Sequence, residues 1–264
     1  MTPRPKALIT GASGGIGAAL ALAFAERGYD LVLLARRSDR LEEVAAGTAR
    51  FGASAETLVT DLSTPDGLAG AAERAAAGDL DLLISNAGAA GYAPLREVSA
   101  ADVDALWRLN STAPVTLSHA VLPSLLAKGE GAIVTIASLL AFSSGMTAAQ
   151  LPARTLYAAA KSATVAFTRT LATELVGTGV QAMVVCPGQV ATEWSGGANR
   201  NRPDAMSAED VATATAVALA RGETVCAPGL SGTEALDRLQ EAERALLAAG
   251  SRSSLADRYA DASQ

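Results

Sequence analysis

The sequence predicts an α/β fold in which seven parallel strands form one doubly wound sheet, with helices on both of its faces. Short, strongly apolar runs alternate along the 264 residues with longer, alanine-rich stretches of helical period. Runs this apolar are expected to be buried on both faces, and crossovers of about a dozen residues or more between them require parallel pairing. The predicted strands are residues 7–10, 31–34, 57–60, 80–84, 132–136, 181–185 and 224–227.

The length of the chain suits a single α/β domain over residues 1–264. Only residues 234–264 lie outside the alternation of strands and helices. Their first part, from Glu234 to Ala249, has the pattern of an amphipathic helix, and the remainder is rich in Ser, Arg and Asp. We therefore expect a C-terminal helix followed by a polar tail of disordered composition.

Charge and hydropathy weigh against nucleic acid and membranes as partners. The formal net charge is −6, because 27 acidic residues outnumber 21 dispersed Lys and Arg residues, which predicts no binding to nucleic acid. Residues 131–153 carry no charged side chain, but polar residues and Pro152 interrupt them, so a strand with a loop is favoured over a membrane span. Residues 1–6 lack the apolar stretch of a secretory signal, which predicts a cytoplasmic protein.

The two cysteines, Cys186 and Cys226, each lie in a short apolar run. This setting favours two reduced core thiols over a disulfide. We assign them no chemistry, and no metal site is predicted.

A glycine-rich turn follows the first predicted strand and leads directly into an Ala/Leu helix. It contains Gly11, Ser13, Gly15, Ile16 and Gly17. Glycines there let the backbone turn sharply and approach a pyrophosphate, whose charge the free N–H groups of the helix N-terminus stabilise. The spacing differs from the commoner dinucleotide fingerprint, but the sequence of strand, turn and helix predicts a Rossmann-like cofactor site.

The same turn also matches the nucleophile elbow of serine hydrolases, with Ser13 as the nucleophile. That reaction needs a histidine base, and the only histidine is His119, inside a helical run rather than on a loop late in the chain. The hydrolase hypothesis is therefore disfavoured. His119 is interpreted as a helix-packing or interface residue.

Further polar motifs follow the later strands. In chain order they are Asn86-Ala87-Gly88, Asn110, Ser138, Tyr157 with Lys161, Pro187-Gly188, Val190 and Thr192. A tyrosine four residues before a lysine is common in ordinary helices. Together and in this order, however, the motifs resemble the short-chain dehydrogenase/reductase family over about residues 7–229.

The pair Tyr157 and Lys161 explains the chemistry that the resemblance implies. Four residues apart, the two side chains share one face of a helix, so the ammonium is expected to lower the pKa of the phenol toward the working pH. The resemblance implies that Tyr157 gives or takes the proton as a carbonyl and a secondary alcohol interconvert, while Ser138 holds the substrate oxygen and Asn110 supports a water chain. It also implies that Lys161 binds the nicotinamide ribose. A non-catalytic protein of the same fold that binds or senses a dinucleotide is the alternative.

The resemblance also implies which residues contact the cofactor. Besides the glycine turn, Tyr157 and Lys161, they are Asp61 and Leu62 at the adenine, Asn86, Ala87 and Gly88 along the adenosine, and Pro187, Gly188, Val190 and Thr192 near the carboxamide.

The end of the second strand indicates which cofactor is used. A protein that binds the unphosphorylated cofactor usually places an acid there to bind the ribose diol. Here Ala35 occupies that position, and Arg36 and Arg37 follow it. Arg36 is expected to meet the 2′-phosphate, assisted by Arg37 and Ser13, so NADP(H) is predicted.

Two segments are expected to recognise the substrate. Eighteen residues separate Ser138 from Tyr157, more than is usual in the family, and Ser144 has the usual interval. We choose Ser138 because it ends a predicted strand, with the surplus looped out over residues 145–154. Residues 193–206 have the composition of a mobile lid, in which Trp194 is expected to cap an apolar substrate. Arg200 and Arg202 are interpreted as solvated rather than as anion-binding.

The helices predicted over residues 101–128 and 154–177 have small, apolar faces. By resemblance to oligomers of the family, these faces are expected to form the interface of a homodimer or homotetramer.

Overall fold

A computed structural model describes residues 3–148, 151–197 and 201–259 and contains one seven-stranded sheet. The strands run in the order β3-β2-β1-β4-β5-β6-β7, and every neighbouring pair is parallel. Their bounds are β1 (Lys6–Thr10), β2 (Asp30–Ala35), β3 (Ala55–Val59), β4 (Leu82–Ser85), β5 (Gly131–Ile136), β6 (Val180–Val185) and β7 (Val225–Cys226). The predicted doubly wound α/β fold is confirmed.

Helices connect successive strands and cover both faces of the sheet. They are α1 (Gly15–Glu26), α2 (Ser38–Ala49), α3 (Pro65–Ala75), α4 (Ala100–Trp107), α5 (Ala113–Lys128), α6 (Thr155–Glu174), α7 (Trp194–Gly197) and α8 (Ala208–Ala220). A further helix, α9 (Glu234–Gly250), follows β7 in the chain. A π-helical turn, Arg108–Thr112, joins α4 to α5. A short 3-10 turn, Leu139–Phe142, follows β5.

The core consists of two layers because consecutive strand residues point to opposite faces. Ile9 packs in the layer that contains Leu20 and Phe24 of α1. Its neighbour Leu8 packs in the layer that contains Leu117 and Val121 of α5. Each of these buried side chains contributes about 1.5–3 kcal/mol to folding by leaving water, so the alternation holds α1 and α5 on opposite sides of the sheet.

The prediction that all strands are buried on both faces is wrong for β3. This strand pairs only with β2, and its side chains are partly or fully exposed; Val59 is 54% accessible. An edge strand lacks a neighbour on one side, so helices cover less of it. Each predicted strand differs from the observed one by one or two residues at one or both of its ends.

The order of the strands positions the cofactor site. From β1 the chain continues outward to β2 and β3, whereas β4 lies on the other side of β1 and the chain then continues outward in the opposite direction. The loops after β1 and β4 therefore leave the sheet toward opposite faces and open a crevice at its carboxyl edge.

The chain divides into two compact units, Met1–Pro228 and Gly229–Gln264. The first contains the sheet and α1 to α8. The second contains α9, close to the predicted bounds of the C-terminal helix, and a 3-10 turn, Asp257–Tyr259. A single domain over residues 1–264 stays a prediction, and residues 260–264 of the predicted tail lie outside the described ones.

Three observations bear on membranes, metals and cysteines. Of the helices formed by the described residues, none is both long and apolar enough to cross a membrane. Within the same ranges, no group of three His, Cys, Asp or Glu side chains is arranged to hold a metal ion. Cys186 and Cys226 are both buried and not joined by a disulfide.

Candidate active site

A cleft of about 960 Å³ opens at the carboxyl edge of the sheet. Nearly all of the predicted site residues line it; Gly17 and Asn110 are the exceptions, and both are buried. The site is therefore continuous from the glycine turn after β1 to Tyr157 and Lys161 on α6. Its volume suits a ligand as large as a dinucleotide together with a small molecule.

The glycine turn brings α1 against the end of β1. A Cβ atom on Gly17 would lie 2.3 Å from the Gly11 carbonyl oxygen, so only glycine permits this approach. Gly11 itself has a φ of 68°, which favours glycine. The Asn86 side-chain amide donates to the Thr10 carbonyl oxygen at 2.9 Å and ties the ends of β1 and β4 together.

The turn leaves polar backbone groups available to an anion. Gly14 precedes α1 and has no side chain with which to cap it, so the first N–H groups of α1 face the cleft with the positive end of the helix dipole. A pyrophosphate fits this donor set, and the tight contact at Gly17 provides the close backbone approach that it requires.

The two arginines after β2 have different partners. The Arg37 guanidinium donates to the Ser13 carbonyl oxygen at 3.0 Å and to Ser13 Oγ at 3.3 Å, and its other terminal nitrogen donates to Glu193 Oε2 at 3.0 Å. Arg36 is largely exposed and lies 3.7 Å from Asp61 Oδ2. Ser63, by donating to the Asp61 carboxylate, lowers the pKa of that group. The expected assistants Arg37 and Ser13 are thus already joined, while Arg36 lies beside the residue expected at the adenine.

Tyr157 and Lys161 are both buried on α6, at 4% and 3% exposure. Lys161 Nζ donates to the Ile136 carbonyl oxygen at 2.8 Å and lies 5.9 Å from the centre of the Tyr157 ring. Burial lowers the pKa of Lys161 to about 8. One side of the cleft thus carries a phenol and an ammonium on adjacent turns of a helix.

The pKa of Tyr157 differs from the expectation. Burial raises it well above its usual range, Tyr92 raises it further, and the Ser138 hydroxyl lowers it. Lys161 is not among the groups that shift this pKa, and burial dominates because removing the phenolate from water costs more than the Ser138 hydrogen bond returns. In this state of the protein the phenol keeps its proton.

Ser138 and Ser144 have different environments. Ser138 is buried directly after β5, and its Oγ accepts from the Leu140 N–H at 3.1 Å, which leaves its hydrogen for another acceptor. Ser144 is exposed. Beyond it, Arg154 donates to Ser143 Oγ at 2.7 Å and to the Ser143 and Met146 carbonyl oxygens at 2.9 Å, which holds the residue before α6 against the segment after β5. Residues 149 and 150 of the predicted surplus lie outside the described ones.

Asn110 is fully buried in the π-helical turn between α4 and α5. Its side-chain amide donates to the Ala89 and Leu106 carbonyl oxygens at 3.0 and 3.1 Å, and its Oδ1 accepts from the Ala89 N–H at 3.3 Å. The side chain thus holds the loop after β4. A Cβ atom on Gly88 would lie 2.7 Å from Asn110 Oδ1, so this loop also depends on a glycine.

Tyr92 is a residue of the cleft that sequence reasoning missed. Its ring meets the Tyr157 ring edge to face, with the two centroids 5.1 Å apart. The preceding Gly91 lies so close to α4 that a Cβ atom there would overlap the Leu106 side chain, and this contact fixes the loop that carries Tyr92. No motif marks Tyr92; its position four residues after Gly88 is the only signal.

The predicted lid segment also reaches the catalytic end of the cleft. The Trp194 ring lies 6.1 Å from the Tyr157 ring, centre to centre. Arg202 lines the cleft but is exposed and paired with Asp204 at 2.7 Å, in keeping with the solvated interpretation. Arg200 lies outside the described residues.

Ser13 and His119 are separated, which removes the support for the hydrolase hypothesis. Ser13 precedes α1, whose buried side chains belong to one core layer. His119 is exposed on α5, whose buried side chains belong to the opposite layer. A histidine across the sheet cannot act as the base for that serine.

Comparisons with known proteins agree with this geometry. A family model described as short chain dehydrogenase matches residues 5–203. A short chain dehydrogenase of Pseudocercospora fijiensis is 35% identical over 192 residues, which cover 71% of this chain but only 60% of that protein.

Solved structures resemble a larger part of the chain. A short-chain dehydrogenase from Sphingobium yanoikuyae in complex with NADPH has a TM-score of 0.90 at 34% identity, covering 97% of this chain and 99% of the other. The bulky-bulky ketone specific alcohol dehydrogenase from Comamonas testosteroni has a TM-score of 0.88 at 30% identity, covering 98% and 99%. Because the family model includes β1 to β6 together with the glycine turn, Tyr157 and Lys161, the chain belongs to the short chain dehydrogenase family.

Proposed function

We propose that the protein is an NADP(H)-dependent oxidoreductase that interconverts a carbonyl and a secondary alcohol, with Tyr157 as the proton donor and acceptor. The observation that carries this proposal is the continuity of the cleft. The glycine turn and Arg37 lie at one end of the cleft, and the buried pair Tyr157 and Lys161 lies at the other end.

The environment of Tyr157 suits an acid in the direction of reduction. Because burial raises the pKa of the phenol, Tyr157 holds its proton until a substrate oxygen develops negative charge beside it. The Ser138 hydroxyl, which already interacts with the phenol, is proposed to orient that oxygen. Ser138 is preferred to Ser144 because Ser144 is exposed.

Lys161 is proposed to hold the nicotinamide ribose and, once its positive charge lies close to the phenol oxygen, to ease loss of the Tyr157 proton in the direction of oxidation. When bound, NADP(H) supplies or accepts the hydride. Asn110 is proposed to position the loop after β4 beside the cofactor, since its amide already binds both backbone groups of Ala89. Its support of a water chain stays a prediction.

The choice of the phosphorylated cofactor rests on the end of β2. Arg36 and Arg37 line the cleft there, and no acid occupies the position of Ala35. The Sphingobium relative was solved with NADPH. The remaining predicted contacts, from Asp61 and Leu62 to Val190 and Thr192, belong to this proposal.

The substrate is proposed to be an uncharged carbonyl compound with a bulky apolar group. The catalytic end of the cleft is lined by Leu139, Leu140, Leu151 and Pro152 besides Tyr92 and Trp194. The nearby Arg202 is already paired with Asp204. The Comamonas relative, described as specific for bulky-bulky ketones, supports the same class.

The test is consumption of NADPH, followed by absorbance, with a panel of aryl ketones, quinones, acyl thioesters, 2-oxo acids and sugars. Turnover of an aryl ketone supports the proposal, and preferred turnover of a 2-oxo acid contradicts the proposed substrate. Tight NADPH binding without turnover of any compound favours the alternative of a non-catalytic sensor.

Two further expectations belong to this proposal. Exposed apolar side chains such as Trp107 and Val115, on the helices predicted to meet a second copy, support a homodimer or homotetramer. A cytoplasmic location stays a prediction.

A further inference from the structure

The Arg37 guanidinium already has a hydrogen-bond partner at each of its three nitrogens. Its Nε and one terminal nitrogen donate to Ser13, while the other terminal nitrogen donates to Glu193 Oε2 at 3.0 Å. The pair crosses the glycine turn, because a Cβ atom on Gly14 would lie 2.9 Å from the guanidinium and 3.9 Å from the Glu193 carboxylate. Both charged side chains are about half exposed, at 48% each.

We propose that Glu193 sets cofactor specificity, because its carboxylate competes with the 2′-phosphate of NADP(H) for Arg37. This inference rests on the proposed function, in which Arg37 helps to bind that phosphate. It adds a residue, from the segment after β6, that opposes the phosphorylated cofactor.

The competition follows from the donors that Arg37 has. A guanidinium has five N–H donors in one plane, and Ser13 and Glu193 together bind all three of the Arg37 nitrogens. A phosphate dianion that binds Arg37 must therefore displace the Glu193 carboxylate or lie beside it, and two like charges in contact repel. The unphosphorylated cofactor presents neutral hydroxyl groups at this place, so Glu193 lowers the affinity for NADP(H) but not that for NAD(H).

The contacts between Ser13 and Arg37 determine whether removing the Glu193 charge raises or lowers the affinity for NADP(H). Its Oγ and carbonyl oxygen hold Arg37 from the other side of the guanidinium, so the arginine keeps its place when Glu193 loses its charge. Removing the carboxylate then raises the positive potential at the phosphate without loosening Arg37. Since exposed ion pairs are weak, we expect a change of about two- to fivefold, smaller at high salt.

Glu193→Gln tests the proposal, because it removes the charge and keeps the shape. Dissociation constants are measured by calorimetry for NADPH and NADH, and for the fragments adenosine 2′,5′-bisphosphate and adenosine 5′-monophosphate. We expect Glu193→Gln to raise the ratio of affinities, phosphorylated over unphosphorylated, about two- to fivefold. Arg37→Ala should lower that ratio about tenfold or more.

Two further variants show whether the effect passes through Arg37. In the Arg37→Ala background, Glu193→Gln should raise the ratio less than it does in the wild type, because the contested donor is gone and only the direct repulsion between carboxylate and phosphate is left. The control is Glu97→Gln, which removes an equally exposed carboxylate that is 2.9 Å from Arg96 and is not among the described residues that line the cleft. It should leave the ratio unchanged.

A ratio that stays the same or falls in Glu193→Gln overturns the inference, as does a rise that is equally large without Arg37 or that Glu97→Gln reproduces. These outcomes leave the proposed function intact if the wild type prefers NADPH. A wild type that prefers NADH, or that binds neither fragment, contradicts the proposed cofactor itself and this inference with it.

Discussion

Lys161 Nζ lies 5.9 Å from the centre of the Tyr157 ring and donates its hydrogen bond to the Ile136 carbonyl oxygen instead. The two side chains are neighbours on α6, but the ammonium is held by the end of β5. The position of Lys161 is thus determined by the sheet, and its influence on the phenol depends on how far it can leave that carbonyl oxygen when the cofactor binds.

Replacing Tyr157 by Phe should lower kcat by about a hundredfold to ten-thousandfold, because the variant lacks the proton donor. The dissociation constant for NADPH should change little, since only one hydroxyl is removed. Steady-state kinetics and a binding titration give the two values. A variant that retains most of its kcat would contradict the proposed mechanism.

Ser138→Ala should lower kcat by about tenfold to a hundredfold, because the hydroxyl near Tyr157 no longer orients the substrate oxygen. Ser144→Ala is the matched control, since Ser144 is exposed, and it should retain kcat. If Ser144→Ala lowered kcat more than Ser138→Ala, Ser144 rather than Ser138 would be the serine that orients the substrate oxygen.

Activity should fall as the pH rises through about 8. Burial lowers the pKa of Lys161 to about 8, so its ammonium is present below that pH and is lost above it. This falling limb of the pH profile should appear in kcat/KM for NADPH, which reports the pKa values of the free enzyme. In the profile of kcat the limb should lie at higher pH, because the negatively charged cofactor stabilises the ammonium of Lys161. Lys161→Arg should remove the limb, since a guanidinium does not titrate there. The same limb in Lys161→Arg would assign it to another group.

Binding of NADPH should quench the fluorescence of Trp194, whose ring lies 6.1 Å from that of Tyr157. The chain has two tryptophans, so Trp107→Phe leaves Trp194 as the only tryptophan, which is excited selectively at the red edge of its absorption. Trp194→Phe is the matched control, in which the exposed Trp107 on α4 remains. Equal quenching in both variants would argue against a position of Trp194 at the cofactor.

Val115→Arg should convert the proposed oligomer into monomers, because it would bury an unpaired charge in the interface. Val217→Arg is the control, since Val217 on α8 has a similar exposure, 39% against 41%, and lies outside the predicted interface. Sedimentation velocity at micromolar concentration measures the mass. A monomeric wild type would refute the proposed assembly.

Patterns that are local in the chain were sufficient to predict much of this protein. Seven apolar runs predicted the parallel sheet, because each run must bury both of its faces. The glycine turn predicted a strand, a sharp turn and a helix in succession, which β1 and α1 confirm. The same reasoning was wrong for β3, since a run of residues does not reveal that its strand will lie at the edge of the sheet.

The tertiary structure alone decided what faces each functional side chain. Tyr92 and Trp194 come to Tyr157 from loops after different strands, and Glu193 comes to Arg37 across the glycine turn, so no spacing in the sequence records these pairs. The sign of the Tyr157 pKa shift also depended on burial. The helix spacing predicts that Lys161 is near, but the desolvation that raises this pKa comes from residues that are distant in the chain and close only in the fold.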